Sequence, residues 1–225
     1  MSLDSDVIVD RRRIRRKLTF WRVVAVVVAI AAVVVASCSL SRPAPVKQQY
    51  LLDPPAPPAV AKPQATSVRI GTINVAAPFR GRSFVLREAD LRYETDYYSE
   101  FLIPPSTMLT ELTARALERS KAFARVVPPG YSADADWVLD GFVSALYGDE
   151  RDGKKVSADV TVSYYLFQSS GGSGMPVWTR DYQKRVPLAT PTTEAYAGAL
   201  NTALGEIFAE LTRDLAAADL SSLKR

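Results

Sequence analysis

The sequence predicts an α+β domain built as a two-layer sandwich, in which an antiparallel sheet carries two amphipathic helices packed on one face. Three observations lead to this prediction. Residues 156–167 alternate apolar and polar side chains, as a strand with one buried face does. Residues 106–123 and 191–215 each repeat apolar side chains at helical spacing. Such a sheet and such helices bury their apolar surfaces against each other.

The composition favours one folded domain without an enzyme's usual side chains. The chain has 225 residues, of which 48% are hydrophobic, enough for a single core with appendages. It contains no histidine, which excludes Ser-His-Asp and Cys-His catalysis and every His-ligated metal site. Its one cysteine excludes an internal disulfide and a Cys cluster. We therefore expect no catalytic residues, no metal and no cofactor.

The positive charge belongs to the N-terminal segment alone. Residues 1–37 carry seven basic and three acidic side chains, whereas residues 38–225 carry 21 of each. A neutral body without a basic stripe is poor evidence for binding to a phosphate backbone, so we expect no nucleic-acid partner.

The N-terminal segment has the layout of an export signal. An apolar run of 14 residues, 23–36, follows the basic cluster. As a helix it would rise about 21 Å, short of the roughly 30 Å of a hydrocarbon core. The run ends in Val35-Ala36-Ser37-Cys38, which resembles the lipobox of bacterial lipoproteins. The resemblance implies that a signal peptide, 1–37, is removed and that Cys38 carries a diacylglycerol and an acylated amino group. An uncleaved anchor helix is the alternative.

The residue after Cys38 indicates the membrane to which the protein is sorted. By resemblance to the sorting rule of lipoproteins in diderm bacteria, Ser39 implies an outer-membrane lipoprotein whose body faces the periplasm. An inner-membrane anchor is the alternative. In either case the lipid chains would hold the protein on the membrane.

A proline-rich segment, 38–66, is predicted to be a tether that begins at the lipidated cysteine. Seven of the 15 prolines fall within it, a composition that does not sustain a helix or an interior strand. We expect an extended spacer that lifts the domain off the bilayer. A short strand candidate, Gln49-Tyr50-Leu51-Leu52, interrupts it.

The predicted domain, 67–218, begins with strands and a helix. The first strand covers about 67–76 with a bulge at Gly71. Extended segments follow at 83–87, 91–94 and 97–102, and Pro104 and Pro105 end the last of them. Ser106 is a plausible N-cap for a helix that reaches about residue 123.

The second half of the domain is predicted as a meander followed by a helix. A short strand at Val126 and Val127 precedes strands at 136–147, 156–167 and 176–188. Thr190 is placed to cap the last helix, with Pro191 in its first turn. The tail, 219–225, is expected to be disordered.

Three groups of residues are candidates for a site, and each also has a purely structural interpretation. Asp136 and Asp140 share one side of a strand and could hold a cation, but a turn residue and an exposed edge charge explain them better. The turn at 148–153 lacks the spacing of a calcium loop, which favours a solvated turn. An aromatic group could contact a partner or lipid, or pack in the core and sheet: Tyr93, Tyr97, Tyr98 and Phe101.

The order of short motifs behind the lipobox resembles the ABC-type transport auxiliary lipoproteins, which include the PqiC-like envelope lipoproteins. The resemblance spans about 48–218. Its motifs are Tyr50-Leu51-Leu52, Val68-Arg69-Ile70-Gly71 and Ala135-Asp136-Trp137-Val138-Leu139-Asp140-Gly141. The family often has a tryptophan before the first helix, where this chain has Tyr97, Tyr98 and Phe101.

The resemblance implies a non-enzymatic function in transport across the cell envelope. Its partners would be an MCE-domain substrate-binding protein and an ABC transporter with permease and ATPase subunits, and its cargo lipids or other apolar molecules. A homo-oligomeric ring is one implied arrangement. The alternative is a structural or assembly lipoprotein of another envelope complex.

Overall fold

A computed structural model describes residues 21–22, 24–28, 46–153, 155–169, 174–220 and 222. Residues 21–22 and 24–28 are helical and exposed. The chain from Val46 onward forms a compact unit of its own. Among the described residues, no helix combines the length and the apolar character needed to cross a membrane.

The described residues of the folded unit form one eight-stranded sheet, two α-helices and a short 3-10 helix at Ala77–Phe79. The helices are α1 (Pro105–Ser120) and α2 (Thr193–Ala217). The strands are β1 (Gln48–Tyr50), β2 (Gln64–Val75), β3 (Ser83–Arg87), β4 (Tyr93–Phe101), β5 (Phe123–Val127), β6 (Trp137–Asp149), β7 (Ser157–Gln168) and β8 (Trp178–Pro187).

The long strand β6 organises the sheet. Along one edge it pairs with β7, which in turn pairs with β8. Its other edge is shared, because β2 pairs with its first half and β3 with its last two residues. β5 extends the sheet beyond β2, and β4 and then β1 extend it beyond β3. The sheet therefore splits into two wings at the point where β2 ends.

Both helices pack on the sheet and enclose the core, which confirms the predicted α+β class. α1 lies against β2 and β5, and α2 lies against β7 and β8. The alternation that predicted β7 gives it a helix-facing side with almost no exposed surface, formed by Ala158, Val160, Val162, Tyr164 and Leu166. Trp137 of β6 is fully buried beneath the same layer.

The sheet is mixed, which corrects the expectation of an antiparallel one. The meander β6-β7-β8 and the pair β3-β4 are antiparallel, as expected. β2 is instead parallel to both β5 and β6, β3 is parallel to β6, and β1 is parallel to β4. The physical reason is the length of the connections: β3, β4 and α1 lie between β2 and β5 in the chain, and a long connection, unlike a tight hairpin, lets neighbouring strands run parallel.

The proline-rich segment belongs to the fold from Val46 onward, so the domain does not begin at 67. Leu52, Pro54 and Pro57 are buried although the segment has little regular structure. The N–H of Val60 donates to the carbonyl of Ser120 over 2.9 Å. Proline prevents helix and central strand, but it does not prevent docking onto a neighbouring surface.

Two residues of this docked segment, Pro55 and Gln64, fix it against α2. The ring of Pro55 packs against Gly205 of α2, where an added Cβ would lie 2.5 Å from its Cγ. The side-chain amide of Gln64 donates to the carbonyls of Leu215, Ala216 and Ala218, which closes the C-terminal end of α2.

The helix ends differ from the predicted caps. Pro104 is the N-cap residue of α1, and the Ser106 hydroxyl donates instead to the carbonyl of Ile73 over 2.6 Å. α1 ends at Ser120, where Lys121 takes a left-handed conformation with φ of 55°. α2 is capped by Thr192, whose hydroxyl accepts from the N–H of Ala195, so the helix starts after Pro191.

The predicted tail is also shorter than expected. Leu220 is buried and joins the core, which extends the folded part beyond 218. Of the remaining tail residues only Ser222 lies within the described part of the chain.

Candidate functional site

The four aromatic residues singled out from the sequence all lie on β4, but they serve three different environments. Phe101 is buried and packs edge-on against Phe84 in the core. Tyr93 is 43% exposed, and its ring contacts those of Phe79 and Tyr147. Tyr97 and Tyr98 are 69% and 50% exposed, the two largest exposed fractions among the four.

A bulge in β4 accounts for this exposure. Ser83 pairs with Glu100 and Val85 pairs with Thr95, so residues 96–99 of β4 stand opposite a single residue of β3. The excess residues are left without ladder partners on β3 and bend the strand outward. We call residues 96–98 the β4 bulge.

The β4 bulge is held in shape by its first residue. A carboxylate oxygen of Asp96 accepts the N–H groups of Tyr98 and Ser99 over 2.7 and 3.1 Å. This is the local side-chain-to-backbone bonding that aspartate supplies in turns. The Tyr97 and Tyr98 rings then meet edge-on with their centroids 5.2 Å apart. The result is an ordered pair of phenol rings facing solvent.

The β4 bulge lies beside β1, near the start of the folded unit at Val46. Gln48 of β1 pairs with Ser99, and the Lys47 ammonium sits 4.9 Å from the centre of the Tyr97 ring. Glu100 joins the two strands, since it pairs with Lys47 at 3.6 Å and accepts from the Gln49 amide at 2.9 Å.

Arg82 completes the polar contacts of this edge. Its guanidinium reaches the Glu100 carboxylate at 2.7 Å. The Gln49 hydrogen bond, together with the charges of Arg82 and Lys47, holds the pKa of Glu100 below its ordinary value. Lys47 and Asp96 were not singled out from the sequence, because neither a lone lysine nor a strand bulge has a local signature.

Asp136 and Asp140 are used by the fold. Asp136 accepts from both the N–H and the hydroxyl of Ser67, each over 2.8 Å. Asp140 accepts the N–H of Thr72 at the bulge predicted near Gly71, where an added Cβ would fall 1.8 Å from its oxygen. β6 is a central strand, so Asp140 is not an edge charge. Within the described residues, no group of three or more His, Cys, Asp or Glu side chains could hold a metal.

The turn after β6 is exposed at residues 151–153, as a solvated turn is, and a charge cluster lies at its base. Asp149 is buried and pairs with Arg151 at 2.7 Å and Arg185 at 3.2 Å. Arg185 also pairs with the buried Asp159 at 2.7 Å. Hydrogen bonds from Arg151 hold the pKa of Asp149 below its ordinary value against the opposing effect of burial. The cluster fastens β8 and the β6–β7 turn together.

Cys38, the predicted lipidation site, lies outside the described residues. The lipid anchor at Cys38 therefore remains a prediction from the sequence.

Solved structures with this fold include two informative matches. A protein from Xanthomonas campestris aligns with a TM-score of 0.70 at 20% identity, covering 79% of this chain and 99% of its own. An uncharacterised protein aligns with a TM-score of 0.55 at 13% identity, covering 76% and 97%. Identities this low establish the fold alone. A search of curated protein sequences finds no match.

The family is given by a sequence model. The model that describes the ABC-type transport auxiliary lipoprotein component matches residues 50–212, from the last residue of β1 into the last turns of α2. The match starts inside the docked segment and leaves out residues 1–49. Because it covers most of the chain, the protein belongs to the family of ABC-type transport auxiliary lipoproteins.

Proposed function

We propose that the protein is a lipid-anchored, non-enzymatic component of an ABC transport system that carries an MCE-type substrate-binding protein, and that the system moves lipids or other apolar molecules across the envelope. The family match over residues 50–212 is the observation that carries the proposal. The lipobox-like sequence ending at Cys38 supports the anchor, and Ser39 supports the outer membrane as its address.

The anchor is tested by metabolic labelling with an acyl-chain analogue. Wild-type protein should take up the label and the Cys38→Ala variant should not, because the chain has no other thiol. Ser39→Asp is the matched variant for the address, since it should keep the label but move the protein to the inner-membrane fraction. Labelling of Cys38→Ala would contradict the anchor, and an outer-membrane location for Ser39→Asp would contradict the sorting signal.

The partners are tested by affinity purification of the full-length protein from membranes. Recovery of an MCE protein with permease and ATPase subunits is the expected result. Recovery of a secretion or cell-wall complex in their place would contradict the proposal and support an assembly function. A homo-oligomer is part of the proposal, and light scattering of the purified protein measures it.

We propose further that the β4 bulge contacts a partner of the transport complex. Asp96 fixes the backbone at Tyr98 and Ser99, and the Tyr97 ring packs against Tyr98, so little conformational freedom is lost when the two tyrosines are covered. Rigid tyrosines of this kind are enriched in protein interfaces. The β4 bulge also lies beside Lys47, close to Val46, where the folded unit begins. The eight residues from Cys38 to Val46 span at most about 28 Å, so the anchor would keep this edge close to the membrane.

The contact is tested with the double variant Tyr97→Ser and Tyr98→Ser. We expect recovery of the MCE partner to fall about tenfold, as the loss of one good interface anchor would produce, with thermal stability unchanged. Tyr131→Ser is the matched control, because Tyr131 is equally exposed, at 68%, but lies in the turn after β5. Unchanged recovery with the double variant, or equal losses with the control, would contradict the contact.

A further inference from the structure

A groove of about 430 Å³ runs between the docked proline-rich segment and α2. One wall is residues 58–62, and the other is the face of α2 from Ala209 to Ala217. Its volume lies in the range of pockets that bind small molecules. The functions proposed above for the signal peptide, the tether and the β4 bulge do not explain why this groove exists.

The groove is built into the fold. Upstream, Pro55 is seated on Gly205, and downstream, Gln64 holds the end of α2 through three carbonyls. Between these points the N–H of Val60 is bonded to Ser120. Residues 58–62 thus pass over α2 with Val60 packed against the core. Apart from Arg213, the side chains of the helix wall are small, which leaves space between the walls.

The chemistry of the lining indicates the class of ligand. Alanine, valine and proline form most of the walls, and the hydroxyl of Thr212 is turned back to the carbonyl of Ala209. Such walls suit a hydrocarbon chain, because they offer it apolar surface and no unsatisfied polar group.

The charged side chains at the rim of the groove indicate the charge of the ligand's polar end. The lining includes two cations, Lys62 and Arg213, and no acidic residue. Lys62 has no ion pair among the described residues, while Arg213 pairs with Asp214 at an exposed 3.6 Å. An apolar trough with positive charge at its edge complements an acyl chain that ends in an anionic headgroup.

We propose that this groove binds one acyl chain of an anionic phospholipid, with Lys62 and Arg213 at the headgroup. The inference rests on the proposed transport function, since it gives the protein a direct contact with the cargo class. The segment after Leu220 is the competing occupant, but its Lys224 and Arg225 would bring like charges to the rim.

The test uses the purified full-length protein with vesicles of phosphatidylcholine that contain phosphatidylglycerol bearing a diazirine in its acyl chain. After irradiation, labelled peptides are identified by mass spectrometry. We expect label on the peptides that contain residues 58–62 and 209–217. Label confined to other parts of the protein would overturn the proposal.

Two variants of α2 make the test specific. Ala216→Trp fills the groove and should lower labelling of these peptides about tenfold, as losing burial of some two methylene groups would. Thr202→Trp is the matched control, because Thr202 is exposed on the same helix outside the groove, and its labelling should stay unchanged. Equal labelling of both variants would overturn the proposal. The wild-type peptide map decides the matter if Ala216→Trp does not fold.

Two further variants separate the lipid from its competitors. Lys62→Glu should reduce labelling by phosphatidylglycerol but not by a matched phosphatidylcholine probe, and an equal effect on both would overturn the anionic preference. Deleting residues 221–225 should leave labelling unchanged, and a large increase would show that the tail occupies the groove. Labelling in the groove without recovery of transport partners would refute the proposed function alone, whereas partners without labelling would refute the groove alone.

Discussion

A single buried carboxylate shows how charge is used in this protein. Asp149 lies where the β6–β7 turn meets β8, and it receives hydrogen bonds from Arg151 and Arg185. Because these bonds favour its charged form, the folded protein holds the pKa of Asp149 below the ordinary value of about 3.9. The cluster therefore stabilises the fold at neutral pH and loses that contribution in acid.

The prediction at this residue is a pH-dependent cost for Asp149→Asn. At pH 7 the variant should lose about 1–3 kcal/mol of unfolding free energy, since it leaves two arginines without their shared partner. The contribution of Asp149 is present above its unfolded pKa and disappears as pH falls through its lowered folded pKa. The gap between variant and wild type should therefore close below about pH 4. Urea unfolding across this range measures it.

The control at the residue scale is an exposed ion pair. Asp53→Asn breaks the contact of Asp53 with Arg115, whose side chains are 75% and 44% exposed. It should cost less than about 1 kcal/mol at neutral pH. A gap for Asp149→Asn that stays constant from pH 7 into acid would show that its cost is steric rather than electrostatic.

Among the elements, the docked segment from Val46 to Gln64 depends on a glycine of α2. Gly205→Ala would place a Cβ 2.5 Å from Cγ and 2.8 Å from Cδ of Pro55, so the proline ring would have to move away from α2. We expect a loss of about 1–3 kcal/mol, the usual cost of overpacking, and faster proteolysis of the segment. Urea unfolding and limited proteolysis measure the two effects.

Gly198 provides the matched control on the same helix. A Cβ added there meets nothing within 4 Å. Gly198→Ala should therefore stabilise the protein by about 0.5–1 kcal/mol through helix propensity alone. The two substitutions are chemically identical and are expected to have opposite signs. A gain in both would mean that the segment is not seated on α2.

The sequence predicts elements well where local patterning decides them. The alternation in 156–167 and the apolar stripe of α2 correspond closely to β7 and the last helix. Pairing between distant strands has no such local signal, which is why the parallel neighbours of β2 were missed. Proline content misled the prediction for 46–66, because it reports which hydrogen bonds a segment can make and not whether it is buried.

The same contrast between local pattern and distant contacts applies to the candidate site. Aromatic composition led to Tyr97 and Tyr98, but only the register of β3 against β4 shows that a bulge exposes them while Phe101 turns inward. The groove could not be inferred from the sequence, since its two walls are about 150 residues apart along the chain and meet only through the fold.

At the scale of the whole molecule, the structure and the composition place the start of the folded unit at different residues. The compact unit begins at Val46, whereas proline content placed the start of the domain at 67. Residues 46–66 supply β1, the buried Leu52 and the Gln64 amide at the end of α2. These contacts join the outer wing of the sheet and both helices, so their loss is not confined to one edge.

Two truncated chains test this boundary. A chain that begins at Val46 should unfold in one cooperative step, because it keeps the entire core. A chain that begins at 67 loses Leu52, whose burial alone contributes about 2–5 kcal/mol, together with the pairing of β1 and the closure of α2. With total stabilities of about 5–15 kcal/mol for a domain, this chain should be largely unfolded or molten at 37 °C. The emission of Trp137, fully buried in the native state, reports the difference during urea unfolding. If both chains unfolded at the same urea concentration, residues 46–66 would be a tether after all.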